Sequence, residues 1–142
     1  MTFSVKTSSF EMQTAGFGDI LDITRQVAKG VSGSGLSDGT ATVFVPGSTA
    51  GITTIEYEPG AVEDLKKAIE RQASANLHYA HDARWGDGNG FSHVRAALMG
   101  ASLTVPFIRS ELQLGTWQQI VLCDFDNRAR KREVLVQVMG VE

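Results

Sequence analysis

The first 14 residues run partly in alternation and are rich in Ser, Thr and Val, which predicts an opening strand over residues 3–14. The period then lengthens. In "DITRQVAKGVSGSG", Ile23, Val27 and Val31 recur every fourth residue, which predicts a helix with Asp22 as N-cap and Gly33 and Gly35 at its end. "TATVFVP" and "GITTIEYE" are β-branched and aromatic and predict two strands joined by the short turn "GSTA". Pro59 then opens a second helix, whose apolar stripe is Val62, Leu65 and Ile69. "SHVRAALMG" predicts a short helix capped by Ser92 and stopped by Gly100. "ASLTVPFI", "ELQL", "WQQIVLCDF" and "EVLVQVMGV" predict strands, with hairpin turns at Arg109–Ser110 and at "DNRARK". Helices and antiparallel hairpins mixed in this order give an α+β class.

Composition narrows the field. A length of 142 residues without a linker or repeat predicts one domain over residues 1–142, large enough for a real core. A net charge of −3 argues against bulk nucleic-acid binding. No apolar run approaches a membrane span, and "MTFSVKTSSF" lacks the layout of a signal peptide, so a cytoplasmic protein is expected. Cys123 is the single cysteine and reads as a core thiol, not a nucleophile.

The segment "HDARWGDGNGFSH" concentrates the candidate chemistry. His81 and His93 with Asp82 or Asp87 offer imidazole and carboxylate ligands for a metal, although the spacing matches no compact zinc motif. Alternatively, the glycines leading into a helix start, Gly88 among them, suit an anion held by backbone N–H groups, with His93 in the first turn as hydrogen-bond donor or base. A plain glycine-rich turn before a capped helix explains the same residues. "VPGSTAG" supplies the hydroxyls of Ser48 and Thr49 in a loop open to close approach. Trp117, Gln118 and Gln119 lead into an apolar strand, where one glutamine is expected to face inward and contact a ligand or subunit. Asp124 and Asp126 share a strand face and are either paired acids at a cation site or solvated hairpin-end residues. The basic "NRARKRE", with Arg128, Arg130, Lys131 and Arg132, either steers a phosphorylated ligand or touches nucleic acid, or is a solvated hairpin tip, and in an acidic protein the solvated tip is the expected reading.

"TVFVPGSTAGITTIEYEPG", "HDARWGDGNGFSHVRAALMGASLTVPF" and "LQLGTWQQIVLCDFDNRARKREVLVQVMG", in that order, resemble the YjbQ-like proteins, a family assigned as secondary thiamine-phosphate synthases. The resemblance implies a curved, mostly antiparallel sheet or sandwich with packed helices and a homotrimer with polar clefts near its subunit boundaries. It also implies condensation of a pyrimidine diphosphate with a thiazole phosphate, releasing pyrophosphate. Gly88, Asn89 and His93 match the family's GN-then-His pattern, His81 matches the preceding histidine, and Cys123, Asp124 and Asp126 match its acidic stretch. Many members read "VPHTTA" where this chain has the archaeal-type "VPGSTA", so Gly47 removes an imidazole and weakens a three-histidine metal site.

The expectation is therefore a transferase with His81, Asn89 and His93 at the chemistry and Ser48, Thr49, Gly88, Trp117 and Gln118 on a small phosphorylated ligand. Mg²⁺ or Zn²⁺ on His81, His93, Asp87 and Asp124 is the expected metal, with no organic cofactor. The alternative is a non-catalytic trimeric binder of a phosphorylated metabolite or metal ion.

Overall fold

The opening strand forms where the alternation predicts it, and it pairs with the last strand of the chain. In the computed structural model, which describes residues 2–142, the elements in chain order are β1 (Phe3–Thr14), β2 (Asp19–Asp22), α1 (Thr24–Ser32), β3 (Asp38–Phe44), β4 (Ala50–Ile55) and α2 (Pro59–Gln72). They continue as α3 (Ala80–Trp85), α4 (Gly90–Met99), β5 (Ser102–Ile108), β6 (Glu111–Leu112), β7 (Gln119–Asp124) and β8 (Arg130–Val141). The class is α+β, a single compact domain built around a curled antiparallel sheet.

Two sheets share the strands. The larger has the order β1-β8-β3-β5-β6 and the smaller β2-β7-β4, and every pairing is antiparallel. This corrects two hairpins expected from the sequence. β3 and β4 lie in different sheets, so "GSTA" carries the chain from one to the other. The same holds for "DNRARK" between β7 and β8. By contrast, Arg109–Ser110 is a true two-residue hairpin loop, with both residues at positive φ (51° and 62°) as a type I′ turn requires.

Burial explains why the small sheet is so apolar. Val27 and Val31 of α1, Ile52 of β4, Ile120 and Leu122 of β7, and Val134, Val136 and Val138 of β8 form one core between the sheets. Val121 and Cys123 point the other way, into a second core with Ile20 and Ala96, covered by Val62, Leu65 and Ile69 of α2. β7 is therefore buried on both faces, and "IVLC" reads as a continuous apolar run. Burial pushes the Cys123 thiol up to about 12, with the charge of Asp19 adding to the effect, which fits a core residue and not a nucleophile.

Helix ends differ in detail from the sequence expectation. Ile23 occupies the N-cap position of α1, but Asp22 still satisfies the first turn by accepting from Thr24 N (3.0 Å) and Thr24 Oγ1 (2.7 Å). α4 starts two residues before Ser92, at Gly90, so Ser92 is an interior helical residue.

Candidate functional site

The site begins where the chain leaves the small sheet for the large one. Asp124 ends β7 in line with Ile120 and Leu122, and Arg132 lies on β8 in line with Val134 and Val136, so alternation turns acid and base toward the same interior. Arg132 donates from Nε to Asp124 Oδ2 (2.7 Å) and from Nη2 to Asp124 Oδ1 (2.8 Å) and Thr49 Oγ1 (2.7 Å). Thr14 Oγ1 donates to Asp124 Oδ2 at 2.5 Å. Arg130 pairs with Asp126 through Nη2 (2.5 Å) and Nε (2.6 Å), and the Asn127 N–H donates to Asp126 Oδ1 at 2.8 Å.

These donors decide the charge state. Burial opposes ionisation of Asp124, but the hydrogen bonds from Arg132 and Thr14 outweigh it and hold the carboxyl below the usual carboxylate range. Asp126 is likewise held low: burial opposes ionisation, and the Asn127 N–H and Arg130 overcome it. Arg128 and Lys131 of the basic stretch are exposed, but Arg130 and Arg132 are not part of a solvated tip. Arg132 is only 8% exposed, and the two acids are fully buried and paired with arginines.

Thr49 and Asn89 connect this network to the histidines. Thr49 Oγ1 and Asn89 Nδ2 each lie 3.3 Å from an oxygen of Asp126. The Asn89 amide is buried with Asp126 on one side and Asp87 and His81 on the other. With its nitrogen toward Asp126, its oxygen lies 3.1 Å from His81 Nε2. Turned over, the nitrogen lies 3.1 Å from His81 Nε2 and 3.0 and 3.2 Å from the Asp87 carboxylate oxygens. His81 Nε2 is also 3.2 Å from Asp87 Oδ1. The first orientation needs a donor at Nε2 and the second an acceptor, so the amide orientation and the His81 proton are coupled. The His93 ring lies beside that of His81, with centroids 4.4 Å apart.

The local sequence dictates this convergence. Gly86 at φ 71° ends the short α3, and Gly88 at φ 70° turns the chain back. Gly90 lets α4 start against α3, since a Cβ there would stand 2.5 Å from the Cβ of Tyr79. Asp82 Oδ1 accepts from Gly90 N at 2.7 Å, and Asn127 Nδ2 donates to Asp87 O at 2.9 Å. The first N–H of α4, at Gly90, is thus already taken by a carboxylate of the chain itself. Ser48 and His93 line a common recess of about 530 Å³ together with Gly47 and Ala50.

His81, Asp87, Gly88, Asn89, His93, Ser48 and Thr49 thus gather at one end of β7. Trp117 and Gln118 do not. Asp124 pairs with Ala50 at the site end, whereas Gln119 pairs with Ile55 at the other, about 16 Å along an extended strand. Trp117 is 72% exposed, and the exposed Gln118 is held locally, donating from Nε2 to Thr54 Oγ1 (3.1 Å) and accepting from Gly115 N (3.0 Å).

Several of the side chains expected on a metal are engaged within the protein. Asp124 is consumed by Arg132 and Thr14, and His81 Nε2 faces Asn89 and Asp87. Among the described residues, no group of three or more His, Cys, Asp or Glu side chains is arranged to hold a metal ion. These residues do not fit a resident zinc. The sequence offers Arg130 and Arg132 as steering charges for a phosphorylated ligand but favours a solvated tip, although the alternation of β8 places Arg132 on the inward face.

Comparison with known proteins agrees with this architecture. The description "UPF0047 protein YjbQ-like" fits residues 8–141. A UPF0047 protein of Methanothermobacter thermautotrophicus is 35% identical over 136 residues, 96% of this chain and 93% of that protein. YugU of Bacillus subtilis is 33% identical over 133 residues, covering 93% and 98%. The crystal structure of a YbjQ-like protein of unknown function from Sulfolobus solfataricus superposes with a TM-score of 0.93 at 31% identity, covering 98% of this chain and 99% of that one. A YjbQ/UPF0047 structure from Clostridium acetobutylicum gives 0.85 at 36% identity, covering 92% and 98%. With nearly its whole length matched in sequence and in fold, the chain belongs to the YjbQ-like UPF0047 family.

Proposed function

We propose that the chain is a small transferase of the thiamine-phosphate synthase type, condensing a pyrimidine diphosphate with a thiazole phosphate. The thiazole nitrogen attacks the pyrimidine methylene carbon and forms the new C–N bond. The C–O bond to the diphosphate breaks, and its electron pair leaves with pyrophosphate. Such a substitution requires alignment of the two partners and stabilisation of the departing anion, with no protein nucleophile.

The observation that carries the reading is the link from the Ser48–Thr49 loop through Asp126 and Asn89 to His81, with His93 beside it. Hydroxyls and imidazoles suit a ligand with phosphate groups, and the coupled His81–Asn89 pair can donate to the leaving oxygen. The family resemblance supports the same chemistry and a cytoplasmic homotrimer. No helix among the described residues is long and apolar enough to cross a membrane.

The test is turnover of a pyrimidine diphosphate with a thiazole phosphate, with and without Mg²⁺, followed by pyrophosphate release. Sedimentation of the same protein reads the trimer. His81→Ala and His93→Ala are expected to lower turnover at least 100-fold, within the range for acid–base groups. Ligand binding without turnover in the wild type would reduce the chain to a binder, and no binding of either substrate would overturn the reading.

A further inference from the structure

The guanidinium of Arg132 is not fully used by the chain. Nε and Nη2 serve Asp124 and Thr49, whereas Nη1 has no hydrogen-bond partner among the described residues. Ser92 Oγ is the one fully enclosed side-chain polar atom without a partner there, so Nη1 keeps contact with solvent although the Arg132 side chain is only 9% exposed. Two N–H donors of a nine-tenths buried cation therefore point out of the protein at one place.

That place is the loop between the sheets. A Cβ on Gly47 would stand 3.1 Å from Arg132 Nη1, and Gly47 has φ +126°, where a side chain is strained. Glycine at this position leaves the nitrogen uncovered. Ser48, the next residue, is exposed, and Thr49 fixes the guanidinium plane by accepting from Nη2 at 2.7 Å.

We propose that Arg132 Nη1 and the Gly47–Ser48–Thr49 loop form an oxyanion subsite that holds one phosphate group of the ligand. The inference rests on the phosphorylated-ligand reading above and assigns the group that grips the phosphate. Arginine suits the task because its planar donors stay charged and reach phosphate oxygens in a fixed geometry. Asp124 holds the Nε–Nη2 edge, so the Nη1 donors are oriented before the ligand arrives. The Arg130–Asp126 pair leaves Asp124 as the close counter-charge of Arg132, with Asp126 4.0 Å away. The phosphate is therefore recognised by directed N–H groups more than by a large positive field.

The experiment titrates inorganic pyrophosphate into wild type, Gly47→Ala and Arg132→Lys by calorimetry, and locates pyrophosphate in crystals of the wild type. Gly47→Ala places a methyl group over Nη1 and leaves the Asp124 pair intact, and Arg132→Lys keeps a charge but cannot serve Asp124 and a ligand together. Both variants are expected to weaken binding at least tenfold, and a phosphate oxygen is expected within hydrogen-bond distance of Nη1 in the crystal. Wild-type binding that both folded variants retain, or pyrophosphate located elsewhere, overturns the subsite while leaving a phosphorylated ligand possible. Failure of pyrophosphate to bind wild type overturns the subsite together with the reading it rests on. Should either variant fail to fold, the wild-type crystal decides alone.

Discussion

Arg132 and Asp124 meet in a two-point contact, Nε to Oδ2 at 2.7 Å and Nη2 to Oδ1 at 2.8 Å, at the joint between the two sheets. Both side chains are buried, so the carboxylate has no water to fall back on and the guanidinium keeps only its Nη1 edge open. Removing one partner of such a pair typically costs about 3–5 kcal/mol, because it strands the other charge. Arg132→Met is expected to lower unfolding free energy by about that much, measured by urea denaturation. Asp124→Asn added to it should restore part of the loss, since a buried amide is easier to accommodate than a buried charge. Strictly additive losses in the double variant would show that the pairing is not what stabilises the joint.

The same acids set the response to pH. The pKa values of Asp124 and Asp126 are depressed in the folded protein, so their contribution is fully present above the unfolded aspartate value of about 3.9. It is lost as pH falls through the folded values. Unfolding free energy from these two groups should be level from neutral pH down to about 4 and fall below it, with net proton uptake on unfolding. Asp126→Asn should make the acid limb of the curve shallower. An unchanged limb would assign the acid sensitivity to other carboxyls.

Ser92 Oγ is fully buried without a partner among the described residues. A hydroxyl in that state loses its water and gains nothing in return, so Ser92→Ala is expected to be neutral or to stabilise by about 1 kcal/mol. The better helix propensity of alanine acts in the same direction. Thermal melting reads the effect. A loss of stability beyond about 1 kcal/mol would mean that the hydroxyl is bonded after all.

Gly90 controls the approach of α3 to α4. Its Cα lies so close to Tyr79 that an added methyl must push the helices apart, and overpacking of this kind costs about 1–3 kcal/mol. The shift also carries His81 away from Asn89. Gly90→Ala should therefore lose stability in a melting experiment and lose pyrophosphate binding beyond what the stability loss explains. Retained binding with wild-type affinity would show that α3 does not position the site.

Much of this arrangement is legible in the residues, and the missing parts share a cause. Every long element has a period that announces it, and the clustering of His81, Asn89 and His93 follows from a short glycine-rich segment between two helices. Parity is legible as well: Arg132 falls in step with Val134, Val136 and Val138 and must turn inward with them. Reading its segment as a hairpin tip hides that fact. Whether a short polar loop returns to the same sheet or crosses to another depends on which strands compete for each edge, and that is a property of the whole chain. "GSTA" and "DNRARK" both cross. Those crossings bring Thr49 to Asp126 and Arg132 to Asp124, and they carry Trp117 and Gln118 to the far end of β7.

Asn89 provides the sharpest test of the site's electrostatics. Its neutral amide separates the carboxylates of Asp87 and Asp126, donating to one or the other according to its orientation. Asn89→Asp keeps the shape but sets a third carboxylate between these two. Asn89→Ala removes the hydrogen bonds and adds no charge. The isosteric change should therefore be the more damaging at neutral pH, by about 1–3 kcal/mol relative to alanine, as for a buried polar group left without a suitable partner. Mutual repulsion raises the pKa values of clustered carboxyls, so the excess penalty should shrink on acidification toward pH 4 as one of the three takes up a proton. Parallel urea titrations of the two variants between about pH 7 and pH 4 measure it, the range running down to the ordinary carboxylate values. Equal stabilities across that range would mean that the three side chains do not share one field, and the coupling between Asn89 and His81 would lose its basis.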